Sequence, residues 1–95
     1  MCATLIGGMD RLKKQYEQTA KQHGVKLKVF TGKERDMRTQ MGKPDLIIIF
    51  TDKCSHKARI QAVQHARQSD IPVLRSHSCG VSSLNACLGS LGRAG

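Results

Sequence analysis

Aromatic residues are nearly missing from this chain of 95 residues, which has no Trp, one Tyr and two Phe. The core must therefore be aliphatic, and the stacking platforms on which single-stranded nucleic acids are bound have almost nothing to build on. Acidic residues are also few, seven against sixteen Lys and Arg, for a formal charge of +9. Such a balance attracts anions such as nucleic acid, headgroups, phosphates or carboxylates, or it simply keeps the surface solvated. The cations are scattered through Lys13, Lys14, Lys26, Lys28, Lys33, Arg35, Arg38 and Lys43, and none forms a block of five. No apolar run reaches the roughly 18–20 residues needed to span a bilayer. The start of the chain has neither the basic opening nor the apolar stretch of a signal peptide. The four cysteines show no Cys-x-x-Cys pairing and no dense disulfide framework. A reducing cytoplasm is the expected location, where free thiols serve as metal ligands or redox sensors.

What remains is enough for one domain over residues 1–95, with a frayed tail at 92–95 and a modest core. A small aliphatic core with open sheet edges favours association, most simply as a symmetric homodimer.

The pattern alternates strands and helices. Ala3-Thr4-Leu5-Ile6 reads as a buried strand stopped by Gly7-Gly8. Asp10 is a candidate N-cap for a helix carrying Leu12, Tyr16, Ala20 and His23 on one face, and Gly24 suits a left-handed C-cap. Lys26 to Phe30 alternates lysines with Leu27 and Val29, which suits an edge strand. Thr31 to Lys43 is polar and weakly patterned, a mobile connection with room for one short helix. Asp45 to Phe50 is the most apolar run, as expected of a strand buried on both faces. Ser55 can cap a helix lined by Ile60, Val63 and Ala66. Ile71-Pro72-Val73-Leu74 is a fourth strand, and Ser82 or Ser83 can cap a last helix with Leu84, Leu88 and Leu91 inside.

Alternation at this spacing predicts an α/β fold: a small three-layer, Rossmann-like domain with a four-stranded parallel sheet and helices on both faces. Right-handed crossovers make 2-1-3-4 the simplest strand order. Ligands of such sheets bind beyond the carboxyl ends of the strands, near the point where strand order reverses. Those ends carry Gly7, Gly8, Asp10 and Arg11; Thr31, Gly32 and Lys33; Thr51, Asp52, Cys54, Ser55 and His56; and Arg75, Ser76, His77 and Cys79.

Leu5-Ile6-Gly7-Gly8 with Asp10-Arg11, then Asp45-Leu46-Ile47-Ile48 leading to Thr51-Asp52 and Ser55-His56, then Ile71-Pro72-Val73 ending in Arg75-Ser76, resembles the bacterial domain-of-unknown-function 2325 family. The resemblance covers nearly the whole chain, and its most specific part is the Thr-Asp-x-x-Ser-His segment. It implies a Rossmann-like architecture and a site in which His56, Asp52, Arg11 and Arg75 occupy motif positions. It implies no reaction. Cys54, His77 and Cys79 lie outside the motif.

Cys54-Ser55-His56 and His77-Ser78-Cys79 mirror each other, and each follows a strand. Adjacent strands would gather two thiols and two imidazoles at one edge, chemistry that suits iron or zinc. One residue between ligands is, however, the wrong spacing for known zinc fingers. Neutral imidazole is the form that ligates metals. Asp52 can orient such a ring through its second nitrogen, or can bond the backbone of its own turn. Gly7-Gly8 before a helix is a truncated phosphate-cradling turn without the full Gly-x-Gly-x-x-Gly fingerprint. A tight turn is its plain alternative. Cys87 reads as a small buried residue. A reactive thiol near a helix start is an enzyme reading, but phosphocarrier domains place it after the first strand, where this chain has Cys2 beginning that strand.

The residues thus point to a non-catalytic binding or sensing domain holding a redox-active iron centre, haem foremost, for oxygen or another diatomic gas or for redox state. His56 is the leading axial ligand, with Cys54, His77 or Cys79 as a second. Arg11, Arg75 and Lys53 are candidates for the propionates, while Gly7, Gly8, Asp52 and Ser76 complete the rim. Aliphatic side chains and Met1, Met9, Met37 or Met41 would line the slot, and two facing rims of a dimer would enclose the ring. The alternatives are zinc or no cofactor, in a regulatory domain that binds a nucleotide-like anion or nucleic acid through its basic surface. No general acid–base pair argues for turnover.

Overall fold

The computed structural model describes residues 1–31, 42–52, 54–78 and 80–94, the last four by their backbone alone. The connection at 32–41 and the residues Lys53, Cys79 and Gly95 lie outside the described residues, and with them the expectations placed on Lys33, Arg35, Met37, Arg38 and Met41.

Four strands, β1 (Cys2–Ile6), β2 (Lys26–Phe30), β3 (Leu46–Phe50) and β4 (Val73–Ser76), form one parallel sheet in the order β2-β1-β3-β4. The predicted α/β class and strand order are both present. β3 is central because it alone is apolar at every position, and Leu46 to Phe50 are all buried. Each such side chain stabilises the fold by about 1.5–3 kcal/mol relative to exposure. β2, with its lysines, sits at one edge, and β4 forms the other.

The helices α1 (Lys13–Gln22), α2 (His56–Ser69) and α3 (Val81–Ala94) cover the two faces. Tyr16 and Ala20 of α1 and Leu84 and Leu88 of α3 pack on Leu5, Leu46, Ile48 and Phe50. Tyr16 meets Phe50 edge-on, with ring centroids 5.9 Å apart. α2 covers Ile6, Ile47 and Ile49 on the opposite face.

Several boundaries differ from the sequence reading. Asp10 does not cap α1; it opens a 3-10 turn, Asp10–Leu12, that leads into the helix without any side-chain cap. His23 stands at the C-cap rather than on the inner face, and its Nε2 donates to Asn85 Oδ1 at 2.7 Å. Gly24 follows at φ +71°. Its N–H bonds Lys21 O while the Val25 N–H bonds Ala20 O, a Schellman closure that needs the left-handed residue. Ser55 caps α2 as expected, accepting from the Ala58 N–H at 3.1 Å. The buried row of α2 is Ala58, Ala62 and Ala66, whereas Ile60 is 42% exposed. Small side chains at i, i+4 and i+8 let the helix lie close on the isoleucines of β3, which turns the larger residues outward. β4 begins two residues later than expected, because Pro72 has no N–H for a ladder and contributes only its carbonyl, to Ile47 N. α3 starts at Val81, ahead of Ser82 and Ser83, with the Gly80 carbonyl accepting from Ser83 and Leu84. Its bounds are Val81–Ala94.

Candidate functional site

The carboxyl ends of β1, β3 and β4 meet along one rim. β1 leaves the sheet through Gly7, at φ +87°. A Cβ added there would stand 2.6 Å from the Phe50 carbonyl oxygen and 3.1 Å from Cys54 Cβ. At Gly8 it would meet Tyr16 at 3.0 Å and Val29 at 3.1 Å. Both glycine N–H groups donate to the Phe30 carbonyl, at 2.9 and 3.3 Å, and the Met9 N–H donates to Tyr16 Oη at 3.3 Å. The turn therefore presents no free row of N–H groups to an anion. Close packing accounts for both glycines, in the manner of the tight-turn alternative.

Beyond β3, the Thr51 N–H and Oγ1 both donate to the Ser76 carbonyl, at 2.8 and 3.4 Å. This extends the β3–β4 pairing one residue past the strands and brings His77 alongside the Thr51-Asp52 turn. Asp52 is exposed and makes no hydrogen bond among the described residues. Cys54 is half-buried against the cluster around Ile6, Phe30 and Ala58. Burial pushes its thiol above the usual range, while the nearby Arg59 guanidinium pulls it partly back. The protonated thiol is therefore the resting form, a poor nucleophile.

His56 follows the Ser55 cap as the first residue of α2 and is exposed. Its Nδ1 lies 3.2 Å from Arg59 Nη2, one helical turn on. A guanidinium only donates, so Nδ1 accepts and the ring proton sits on Nε2. Arg59 was not singled out by the sequence reading. Its i+3 spacing from His56 was the available signal.

On β4, Arg75 is a strand residue in register with Ile49, set against α2 rather than on the rim. Ser76 ends the strand, and its hydroxyl donates to the Ser78 carbonyl at 3.2 Å. Ser78 Oγ accepts from the Gly80 N–H at 3.4 Å. His77 is exposed without a hydrogen bond among the described residues. Arg11 is exposed on the 3-10 turn after β1.

The structure therefore brings His56, Cys54, His77 and Arg11 to one rim in unequal states: two exposed imidazoles, a half-buried thiol and an exposed cation. Among the described residues no three His, Cys, Asp or Glu side chains come together where they would hold a metal ion. Cys2 is at the opposite end of the sheet, its N–H donating to Asp45 Oδ2 at 2.8 Å. Cys87, on α3, is half-buried, and burial raises its pKa. A surface depression of about 480 Å³ lined by Cys2, Thr4, Lys26 and Lys28 is also at that end and has no part in the rim. Among the described residues no helix is long and apolar enough to cross a membrane.

The family described as an uncharacterized protein conserved in bacteria (DUF2325) matches residues 2–91. No curated protein matches the chain.

Proposed function

The chain belongs to the DUF2325 family of uncharacterized bacterial proteins, and we propose that its carboxyl rim binds a redox-active iron centre, haem in the form we favour, as a sensor of a diatomic gas or of redox state. The observation that carries this reading is the exposed imidazole of His56, at the end of the most buried strand, held by one displaceable guanidinium. With no three His, Cys, Asp or Glu side chains gathered among the described residues, an iron held by one or two imidazoles suits the rim better than a four-ligand zinc site.

The fit has a definite condition. A ring bound through Nε2 carries its proton on Nδ1, which then cannot accept from Arg59. Ligation by either nitrogen therefore requires Arg59 to swing away, and its guanidinium becomes available to a propionate. Arg11 is the other cation suited to that role, since Arg75 faces α2. Haem, when bound, supplies an iron that takes up a diatomic ligand or an electron. His77 offers a second imidazole from the adjacent strand. One shallow rim with no Trp cannot enclose a flat ring, so we propose a homodimer with two facing rims, working in a reducing cytoplasm.

The regulatory reading, with a nucleotide-like anion or nucleic acid on the surface, rests on the +9 charge. The Gly7-Gly8 turn gives it little support, since both N–H groups are already bonded.

Titration with haemin tests the proposal. A sharp Soret band that saturates at stoichiometric loading and disappears in His56→Ala supports it. Unbound haemin at stoichiometric loading, or a band indifferent to His56, rejects it.

A further inference from the structure

On the far side of α2 from the β1–β2 half of the sheet, a groove runs between that helix and β4. Two adjoining depressions, about 450 and 390 Å³, share Val63, Arg67 and Arg75. Arg59, Val63 and Arg67 stand at i, i+4 and i+8 on α2 and so form one row. Ile60 lies beside that row and, with Met1, is one of two large hydrophobic residues left exposed among those described. Val73 and Arg75, alternate residues of β4, form the opposite wall.

The strand edge is open as well. Among the described residues β4 pairs with β3 alone. The carbonyls of Pro72 and Ser76 accept from Ile47 and Thr51, so the even-numbered residues of this strand turn their backbone groups toward β3. The N–H and C=O groups of Val73 and Arg75 consequently face away from the sheet. Neither Arg67 nor Arg75 has an ion-pair partner among the described residues, and the one acid that borders the groove is Asp70, at its end.

We infer that this groove is a docking site for an extended acidic segment of a partner protein, added as a fifth strand beside β4. Strand addition satisfies the open backbone groups, and side chains of the added strand give specificity. The spacing is complementary. Arg59 and Arg67 are eight residues apart on a helix, about 12 Å at 1.5 Å per residue. Four residues of extended chain cover about 13 Å. A segment with carboxylates at i and i+4 and an aliphatic side chain at i+2 thus matches Arg59, Val63 and Arg67 in order. Nucleic acid would use the arginines but not Ile60, Val63 or the strand edge, so the peptide is the occupant that all of these features fit. The groove shares Arg59 with the rim, where that side chain bonds His56 Nδ1, so Arg67, which lines only the groove, is the residue to test.

Fluorescence anisotropy of a labelled Thr-Glu-Thr-Val-Thr-Glu-Thr peptide against the full chain tests this inference. Saturable binding that weakens with salt is expected, with at least a roughly tenfold loss in Arg67→Glu. Replacing one or other Glu of the peptide by Lys should restore affinity for that variant, a rescue that misfolding cannot mimic. N-methylation of one alternate set of backbone amides should abolish binding, and of the other set should leave it. The inference is overturned if the peptide does not bind, if both methylated sets bind alike, or if a single-stranded oligonucleotide binds in an Arg67-dependent way and the peptide does not.

Discussion

Arg59 donates from Nη2 to Nδ1 of His56 at 3.2 Å, across one turn of α2. The contact fixes the imidazole tautomer, and the same guanidinium lowers the pKa of the Cys54 thiol against the effect of burial. One exposed helix face thus couples the two residues of the rim with the most chemistry.

Removing that cation should be visible at the thiol. In Arg59→Ala, the pH profile of Cys54 alkylation by iodoacetamide should move to higher pH, since only the upward push of burial remains. Cys54→Ala identifies the signal against Cys2, Cys79 and Cys87. An unmoved profile would mean that Arg59 does not sense the thiol.

Burial raises both Cys54 and Cys87 above the ordinary value of 9.0, so the folded chain holds these protons more tightly than the unfolded chain does. The stability associated with them is complete below about pH 9 and is lost as pH rises through their folded values. Urea denaturation should show a midpoint that falls as pH rises above about 9, and less steeply in the Cys54→Ala, Cys87→Ala double variant. Equal slopes would contradict the assignment.

The two glycines at the end of β1 should respond differently to alanine. Gly7→Ala carries a left-handed penalty of about 1–2 kcal/mol, and its Cβ also meets the Phe50 carbonyl oxygen at 2.6 Å. Gly8→Ala meets only side chains of Tyr16, Val29 and Leu5, at 3.0 Å and beyond, which can shift. Thermal unfolding should show Gly7→Ala as much the more damaging. The reverse order would mean that the turn is not packed as described.

Ser55→Ala removes the cap on the Ala58 N–H and should cost about 1 kcal/mol, within a range of 0.5–2. Ser55→Asp should recover most of it. If the cap also holds His56 in place, haemin affinity should fall in Ser55→Ala and return in Ser55→Asp.

Much of the architecture was legible because it rests on patterns with one physical meaning. The unbroken apolar run of β3 permits only a central parallel strand, the lysines of β2 mark an edge, and Ser55 and Gly24 fit specific cap geometries. What escaped depends on neighbours distant in sequence. The Gly7 and Gly8 N–H groups are bonded by a carbonyl more than twenty residues away, at Phe30, so a sequence that suggests an anion cradle folds into a closed turn. The inner face of α2 is set by how closely a helix can approach Ile47 and Ile49, which favours Ala58 and Ala62 over Ile60. At the rim, His56, Cys54, His77 and Arg11 could be placed from strand ends alone. Their unequal exposure, and the hold of Arg59 on His56, could not.

The most direct measurement of the central claim is chemical rescue of His56→Gly, followed by the Soret spectrum of the haemin-loaded protein. The variant should lose the imidazole-ligated band and regain it on addition of free imidazole, at concentrations that leave unbound haemin unaltered. A wild-type spectrum in His56→Gly without imidazole, or no band in the wild-type chain, would contradict an iron centre held by His56.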